Sequence, residues 1–463
     1  MFVQETVLTE GIAQLSYLVA DTSSGKAAVI DPRTDVEIYE ELARKHGVSI
    51  THIFETHIHA DFVSGSRSLA ERVGTAKIFL SGEQAKYQFD AESVRDGQDF
   101  DFGAFKLTIR HTPGHTPEHL SFLLSEQAHP DQPWAVFTGD SLFVGSAGRP
   151  DLLGTTQTEE LAEALYDTLY DFYLKLEDYI TIYPGHGAGS ACGASIGDRL
   201  NSTIGYERRT NGFLSFPNRE AFIAFVTDAP PVPWHYPHLK KVNADGPMEM
   251  DRLPTIPALP PREFRKVSRE AGVTIIDTRS MTSFGGGHVP GAINIGDRPD
   301  ISPWVGELFD LDQRLLLIVD HDHDVEKLQR FIVRTGHNNF AGYLAGGMKA
   351  WETAGMPLER LDQMTVHELK EQTGNNKTLL DVRSPDEWQA GHIPGAVHYF
   401  IGDMRDRING LEKDAHYITY CASGYRASIA SSLMQARGFK HVTNVPGSWD
   451  AWTAAGYPIE TER

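Results

Sequence analysis

The sequence predicts a multidomain α/β protein, with a two-sheet sandwich followed by two small α/β domains whose sheets are mostly parallel. Three observations predict it. The chain has 463 residues, room for about three domains of roughly 150 residues each. Through residues 1–240 strand and helix signals alternate, and the strands run into turns bearing His and Asp, a pattern expected of two sheets with a metal cleft at one edge. The C-terminal part carries an internal repeat. "IIDTRSMTSFGGGHVPGAINI" (275–295) matches "LLDVRSPDEWQAGHIPGAVHY" (379–399) at an offset of 104, and "AGGMKAWETAGMPLE" (345–359) matches "PGSWDAWTAAGYPIE" (446–460) at an offset of 101. Each copy alternates strands with helices, which implies a small domain built on a parallel sheet.

Taken in order, "QLSYLVAD" and "KAAVIDP" flank the turn "TSSG" and read as a hairpin. "DVEIYEELARKHG" opens with acids and ends in Gly, a capped helix. "ITHIFETH" is a buried strand leading into "THIHADF"; further strands are expected at "KLTIRHTPGHT", "HLSFLLS", "WAVFTGDSLF" and "YITIYPGHG", and a helix at "TEELAEALYDTLYDFYLKL". Residues 243–262 are dense in Pro without periodic apolar signal and read as a linker. The expected domains are therefore 1–242, 263–358 and 362–460 around that linker.

The formal charge of −21 argues against nucleic acid or an anionic membrane as partner, because phosphate binding needs basic surface. No apolar run reaches the roughly 18 residues of a spanning helix, and the opening "MFVQETVLTEG" lacks the basic n-region of a secretory signal. The two cysteines, Cys192 and Cys421, then read as free thiols of a cytoplasmic protein.

Donor residues gather at the strand-end turns: His57, His59 and Asp61 in "THIHADF", His115 in "HTPGHTPEH", Asp140 in "FTGDSLF" and His186 in "YPGHG". So many metal-binding side chains beside turns, including an H-x-H, point to a real metal site. Asp31, at the end of "AVIDP", is expected to buttress the motif loop. These motifs, in this order, resemble the metallo-β-lactamase fold superfamily, an αββα sandwich. In two-metal members the first motif continues with a second-site His after the Asp; here that residue is Phe62, whose ring donates no lone pair. "GDSLFVGSAGRPDL", "YPGHGAGSACG" and "STIGYERRTN" resemble the persulfide dioxygenase branch. That resemblance implies one Fe(II) per chain held by His57, His115 and Asp140, with zinc as a substitute. Donors alone leave iron and zinc open. His59, Asp61 and His186 become weaker metal candidates or groups that orient ligands and touch substrate. Arg149 in "GRPDL" is a candidate for holding a substrate carboxylate, with an ion pair to Asp151 as the alternative. Cys192, bordering the cleft, is read either as a sulfur-carrying catalytic thiol or as a small buried residue.

"YITYCASGYRAS" (417–428) is a strand, a tight loop and a helix start. Cys421 opens the loop and Arg426 closes it. Loop N–H groups of Ala422, Ser423, Gly424 and Tyr425, a helix N-terminus and a guanidinium would together activate a thiol and cradle an anion. With "DVRSPDEWQAGHIPGA" and "PGSWDAW", this stretch resembles the rhodanese family, which implies a persulfide on Cys421 and sulfane-sulfur transfer; Asp381 and Arg383 fall at structural positions. In the first copy the 101 offset sets Asp320 against Cys421 and Val325 against Arg426, so residues 263–358 are expected to be a silent rhodanese-like domain, and "HDHD" a solvated loop.

Together these resemblances imply a persulfide dioxygenase that oxidises the sulfane sulfur of a low-molecular-weight thiol persulfide to sulfite with O₂, joined to a rhodanese that makes or uses thiosulfate, in a homo-oligomer. The alternatives are a glyoxalase II-like thioester hydrolase and a non-enzymatic sulfide sensor.

Overall fold

The computed structural model describes residues 1–228, 231–250, 252–372 and 377–461, so position 251 of the Pro-rich stretch and 373–376 of the last domain lie outside the described residues. The chain divides into two compact units: Met1–Leu253 with Val333–Gly336, and Pro254–Ile332 with His337–Arg463.

In the first unit the predicted hairpin forms. Strand Gln14–Asp21 pairs antiparallel with Lys26–Ile30, and both belong to a sheet that runs in chain order from Phe2–Thr9 through Ser49–Phe54 and Lys77–Ser81 to Glu92–Val94. The second sheet is ordered Ser202–Thr203, Thr181–Pro184, Pro133–Gly139, Leu120–Glu126, Phe105–His111, Asp99–Asp101. Both faces of each sheet are covered, which explains why Gln14–Asp21 is buried at every residue and reads as a continuous rather than an alternating strand. Leu15, Tyr17, Phe54, Phe122 and Phe137 fill the space between the sheets. Val29, Tyr39, Ile53 and Leu69 pack helices Glu37–His46 and Ser66–Val73 on one outer face. Ala162 and Leu165, with Phe222, pack helices Thr155–Asp167 and Arg219–Val226 on the other. The result is an αββα sandwich. Helix Glu37–His46 ends as its sequence predicts, with Gly47 at φ 64° capping the last turn.

The second unit holds two parallel five-stranded sheets of identical order: Ala258–Leu259, Phe340–Leu344, Arg314–Ile318, Val273–Asp277, Ile293–Asn294, and Asp362–Gln363, His441–Asn444, His416–Tyr420, Lys377–Asp381, Val397–His398. The duplication read from sequence is thus a duplication of topology.

The Pro-rich stretch is more ordered than its composition suggests. Helix Tyr236–Asp245 runs into it, Ala258–Leu259 pairs with Tyr343 and Leu344 as a sheet edge, and helix Pro261–Val267 starts on a proline, the one place where its missing N–H costs nothing.

Candidate metal and sulfur-transfer sites

His57 follows strand Ser49–Phe54, His115 precedes Leu120–Glu126, and Asp140 ends Pro133–Gly139, so strand ends carry all three to one edge of the sandwich. Their donor atoms lie within 4.8 Å of one another and all three residues are buried. Hydrogen bonds fix which nitrogen each histidine offers. Thr56 Oγ1 donates to Asp31 Oδ2 at 2.9 Å, so it must accept from His57 Nδ1, also at 2.9 Å. His115 Nδ1 donates to the Arg149 carbonyl at 2.9 Å. Both rings therefore turn an Nε2 lone pair inward. His57 Nε2 lies 3.9 Å and His115 Nε2 3.5 Å from Asp140 Oδ2. His57 Nε2 and Asp140 Oδ2 are buried without a hydrogen-bond partner. Orphaned lone pairs sharing one buried spot are costly unless a cation sits among them, so these residues fit a single metal ion. Burial pulls the His57 and His115 imidazoliums down, which keeps both rings neutral and free to ligate. Burial alone would raise the Asp140 carboxyl, but His186 and His115 outweigh it and hold it well below the usual range.

The backbone makes room for this. A Cβ on Gly185 of "YPGHG" would stand 2.4 Å from Asp140 Oδ1. Asp31 buttresses the motif loop as expected, accepting the Thr56 N–H at 2.7 Å.

The remaining donors do something different. His186 is clamped between Asp140 Oδ1 at 2.7 Å and Asp61 Oδ2 at 2.8 Å. Burial pulls its charge down, yet the two carboxylates win and raise it to about 10. A histidine that donates from both nitrogens has no lone pair left for a metal. His59 stands beside the triad, its ring 4.3 Å from that of His57, and turns its Nε2 to Asp31 at 3.1 Å and Glu55 at 3.0 Å, a second buried group of donors. Phe62 packs on the His59 ring at 4.5 Å. Cys192 stands within 4.8 Å of Asp61 and His186, 1% exposed among Ala60, Phe143 and Tyr236. Burial, then Asp61 and Asp140, push its thiol up. Of the two readings of Cys192, this apolar burial favours the small packed residue. Arg149 takes up the Asp151 alternative: its Nε and Nη2 each donate to Asp151 at 2.6 Å.

Helix Tyr236–Asp245, which ends in the expected linker and was not anticipated from sequence, reaches the same region. Asn243 Nδ2 donates to the His59 and Phe62 carbonyls at 2.8 and 2.7 Å, and its Oδ1 accepts the Ser64 N–H at 2.9 Å. One turn earlier Lys240 is half-buried, and burial pulls its ammonium below the usual range while Glu118 opposes; its charge is felt at His115. Tyr236 brings its hydroxyl to 3.9 Å from Cys192 Sγ. These positions fall at i, i+4 and i+7, one face of a helix. Only an H-bond network, not a motif, marks them.

In the second unit, Cys421 follows strand His416–Tyr420 and is buried. The Gly424 N–H donates to its Sγ at 3.1 Å, and its own N–H donates to Ser448 Oγ at 3.1 Å. Gly424, at φ 106°, turns the loop into helix Tyr425–Ala436. The Ala422 and Ser423 carbonyls accept from Asp450 and Gly447, which fixes the loop, while Tyr425 directs its hydroxyl to the Gly296 carbonyl at 3.4 Å. Arg426 is not a free cation over the loop: it forms a fork with Glu387, at 2.6 and 2.7 Å.

Sheet register corrects the alignment of the first copy. Asp277 pairs with Ile318 as Asp381 pairs with Tyr420, so the residue matching Cys421 is Val319, not Asp320. Its loop, residues 319–324, is longer than 421–424, and the helix that follows opens with Val325 and Glu326. Neither a thiol nor a guanidinium is present, which agrees with a silent domain.

The Metallo-beta-lactamase superfamily profile matches residues 10–186, and the Rhodanese-like domain profile matches 260–354 and 365–455. The crystal structure of a metallo-beta-lactamase from Staphylococcus aureus subsp. aureus COL is 35% identical, with a TM-score of 0.67 over 74% of this chain and 98% of that one. The chain belongs to the metallo-beta-lactamase superfamily. Two rhodanese-like domains follow the superfamily domain. Among curated relatives, the mitochondrial persulfide dioxygenase ETHE1 of Bos taurus is 32% identical over 179 residues, 37% of this chain and 63% of its own length. The hydroxyacylglutathione hydrolase of Brucella ovis is 33% identical over 219 residues, 44% of this chain and 82% of its own. The chain thus spans less than two thirds of the persulfide dioxygenase it matches. Among the described residues no helix is long and apolar enough to cross a membrane.

Proposed function

We propose that this metallo-beta-lactamase superfamily member is a mononuclear iron persulfide dioxygenase joined to a sulfurtransferase. The first unit oxidises the sulfane sulfur of a low-molecular-weight thiol persulfide to sulfite with O₂, and the Cys421 site makes or uses thiosulfate. The observation that carries this reading is the donor set: two imidazole lone pairs and one carboxylate oxygen turned to one buried spot, beside an Asp61–His186 pair already closed by hydrogen bonds. Two His and one carboxylate with the other positions open is the ligand set of non-haem Fe(II) oxygenases. Bound there, Fe(II) supplies the O₂ chemistry that side chains lack.

The chain's own residues do the rest. Thr56 and the Arg149 carbonyl hold the protons of His57 and His115 on Nδ1. His186 keeps Asp140 ionised and oriented. Lys240 draws an anionic persulfide toward the cleft. In the second unit the Cys421 thiolate attacks the outer sulfur of thiosulfate, the bond to the sulfonate sulfur breaks, and sulfite leaves with its electron pair. A thiolate acceptor then takes the sulfane sulfur and restores Cys421. Support comes from the likeness to a persulfide dioxygenase and from the two rhodanese-like domains in one chain.

Anaerobically purified protein is expected to hold about one iron per chain, by the triad logic. His115→Ala should cut O₂ uptake on a persulfide by about 100-fold or more, as loss of a metal ligand exceeds the 10–100-fold of an outer partner, and leave sulfur transfer from thiosulfate intact. The likeness to the Brucella ovis hydrolase favours a second reading, a thioester hydrolase. Two bound zinc ions with thioester hydrolysis, and no O₂ uptake, would establish that one instead.

A further inference from the structure

The two repeats form an internal control, because they share a topology and only one has the thiol. Most of what builds the fold is present in both. Arg279 forks onto Asp277 at 2.9 and 2.6 Å, as Arg383 does onto Asp381 at 2.9 and 2.6 Å. His288 stacks on Phe284 as His392 stacks on Trp388. His288 and His392 form matching backbone bridges to Glu359 and Glu460. Trp351 and Trp452 each donate from Nε1 to a proline carbonyl, at 2.9 and 2.8 Å.

Glu387 breaks this parallel. In both copies a serine caps the helix, Ser280 and Ser384. Three residues on, the silent copy has Ser283 and the other has Glu387. Ser283 still supplies the capped N–H, so the helix start does not require a carboxylate. Glu387 reaches back to the Ser384 N–H at 3.1 Å, completing a capping box, and forks onto Arg426. Glu387, Arg426 and Cys421 are thus absent together from one repeat and present together in the other, while the sheet order and the Asp–Arg, His-stacking and Trp contacts are shared.

Chemistry gives the absence a cause. A flexible arginine must lose rotamer entropy before it can serve a fixed anion. A bidentate carboxylate bears that loss in advance and leaves the other N–H groups of the guanidinium turned elsewhere. Arg426 lies in the first turn of the helix that the Cys421 loop enters, and Cys421 is among the groups whose charge it feels, so the fork fixes the guanidinium at the start of that helix. A carboxylate near an anion site also repels a dianionic donor. It is tolerated there only if orientation is worth more than charge.

We propose that Glu387 is a positioning residue for sulfur transfer: anchored by the capping box, it fixes the Arg426 guanidinium toward the Cys421 loop, where it stabilises the charge that develops as the sulfane sulfur moves to Cys421 and sulfite departs. The proposal rests on the sulfurtransferase reading. The step itself is unchanged: Cys421 sulfur bonds to the outer sulfur of thiosulfate, the thiosulfate S–S bond breaks, and the electron pair leaves with sulfite.

The test is a double-mutant cycle on the full chain, with thiosulfate as donor, a thiol as acceptor and thermal unfolding measured alongside. Arg426→Ala and Glu387→Ala are each expected to lower kcat/KM by about 10–100-fold, the cost of misplacing a group by roughly an ångström. The double variant should be no slower than Arg426→Ala alone, because a residue that acts through Arg426 has nothing left to do in its absence. Glu387→Gln retains the capping oxygen and one arm of the fork, so it should fold like the parent and fall between parent and Glu387→Ala, in kcat rather than in KM. An equal loss in both Arg426 backgrounds, or a lowered unfolding temperature with kcat/KM unchanged, overturns the proposal. Absence of any sulfur transfer by the parent chain, with no one-sulfur mass adduct on Cys421 after thiosulfate treatment, would instead remove the sulfurtransferase reading on which it stands.

Discussion

Removing the Asn243 side chain would leave the Ser64 N–H and the His59 and Phe62 carbonyls of the metal loop without their partner, all in a buried environment. An unsatisfied buried polar group costs about 1–3 kcal/mol, so Asn243→Ala is expected to destabilise the protein by at least about 3 kcal/mol, read by urea unfolding. Iron content should fall in parallel, because the same amide fixes the loop that carries His57. Asn243→Asp should do no better: its carboxylate still accepts from Ser64 but faces two carbonyl oxygens with no hydrogen to give. An unaltered urea midpoint and metal content for both variants would show that the loop is held by other means. At this scale the sequence is an uneven guide. His57, His115 and Asp140 were legible because each lies in a short motif at a strand end. The partners of His59 were not, since its ring stands 4.3 Å from that of His57 yet turns to Asp31 and Glu55, carboxylates that no shared motif joins to it. Asn243 was invisible because its partner His59 is 184 residues away and its surroundings read as linker.

Under the proposed function, the loop between strand and helix decides which repeat can carry sulfur. Block matching at offsets of 104 and 101 left the register between the blocks open, and strand pairing closes it by setting Val319 opposite Cys421. Val319→Cys is therefore expected to give no sulfur transfer in a Cys421→Ser background. The thiol would be placed on a buried position at the start of a loop that is too long to present its N–H groups as residues 421–424 do, and with no guanidinium at the helix start. Thiosulfate-dependent turnover or a one-sulfur adduct on the new cysteine would show that the loop, not the thiol, was already competent. The same comparison explains which parts of the element pattern could be read in advance. Strands buried on both faces, Gly-capped helices and the repeat were visible as composition and period. The helix Tyr236–Asp245 was not, because its Pro-rich flanks dominate the signal and its functional face is three polar or aromatic residues rather than an apolar stripe.

For the molecule as a whole, under the proposed function, a formal charge of −21 bears on how its two sites receive their substrates. Thiosulfate, sulfite and a persulfide are anions, and a surface of the same sign lowers their concentration near the protein. Local cations such as Lys240 and Arg426 reverse this only at the sites themselves. Under the proposed function, covalent linkage of the two sites raises the effective concentration of an intermediate that one makes and the other uses, toward the millimolar range for short flexible connections. Under the proposed function the advantage is measurable. Cys421→Ser chains retain the metal site, and His115→Ala chains retain the sulfur-transfer site. Supplied with thiosulfate and a thiol, the parent chain should begin O₂ uptake after a shorter lag than an equal mixture of the two variants at the same concentration of each intact site. The lag of the mixture should shorten as total protein rises, since the persulfide there must build up in bulk solution before the metal site sees it. The lag of the parent should depend on concentration only weakly. Equal lags at every concentration would mean that the intermediate equilibrates with solvent before it reacts and that the fusion provides co-expression rather than transfer. Either variant alone should show no thiosulfate-driven O₂ uptake, and Cys421→Ser should recover it when a preformed persulfide is added.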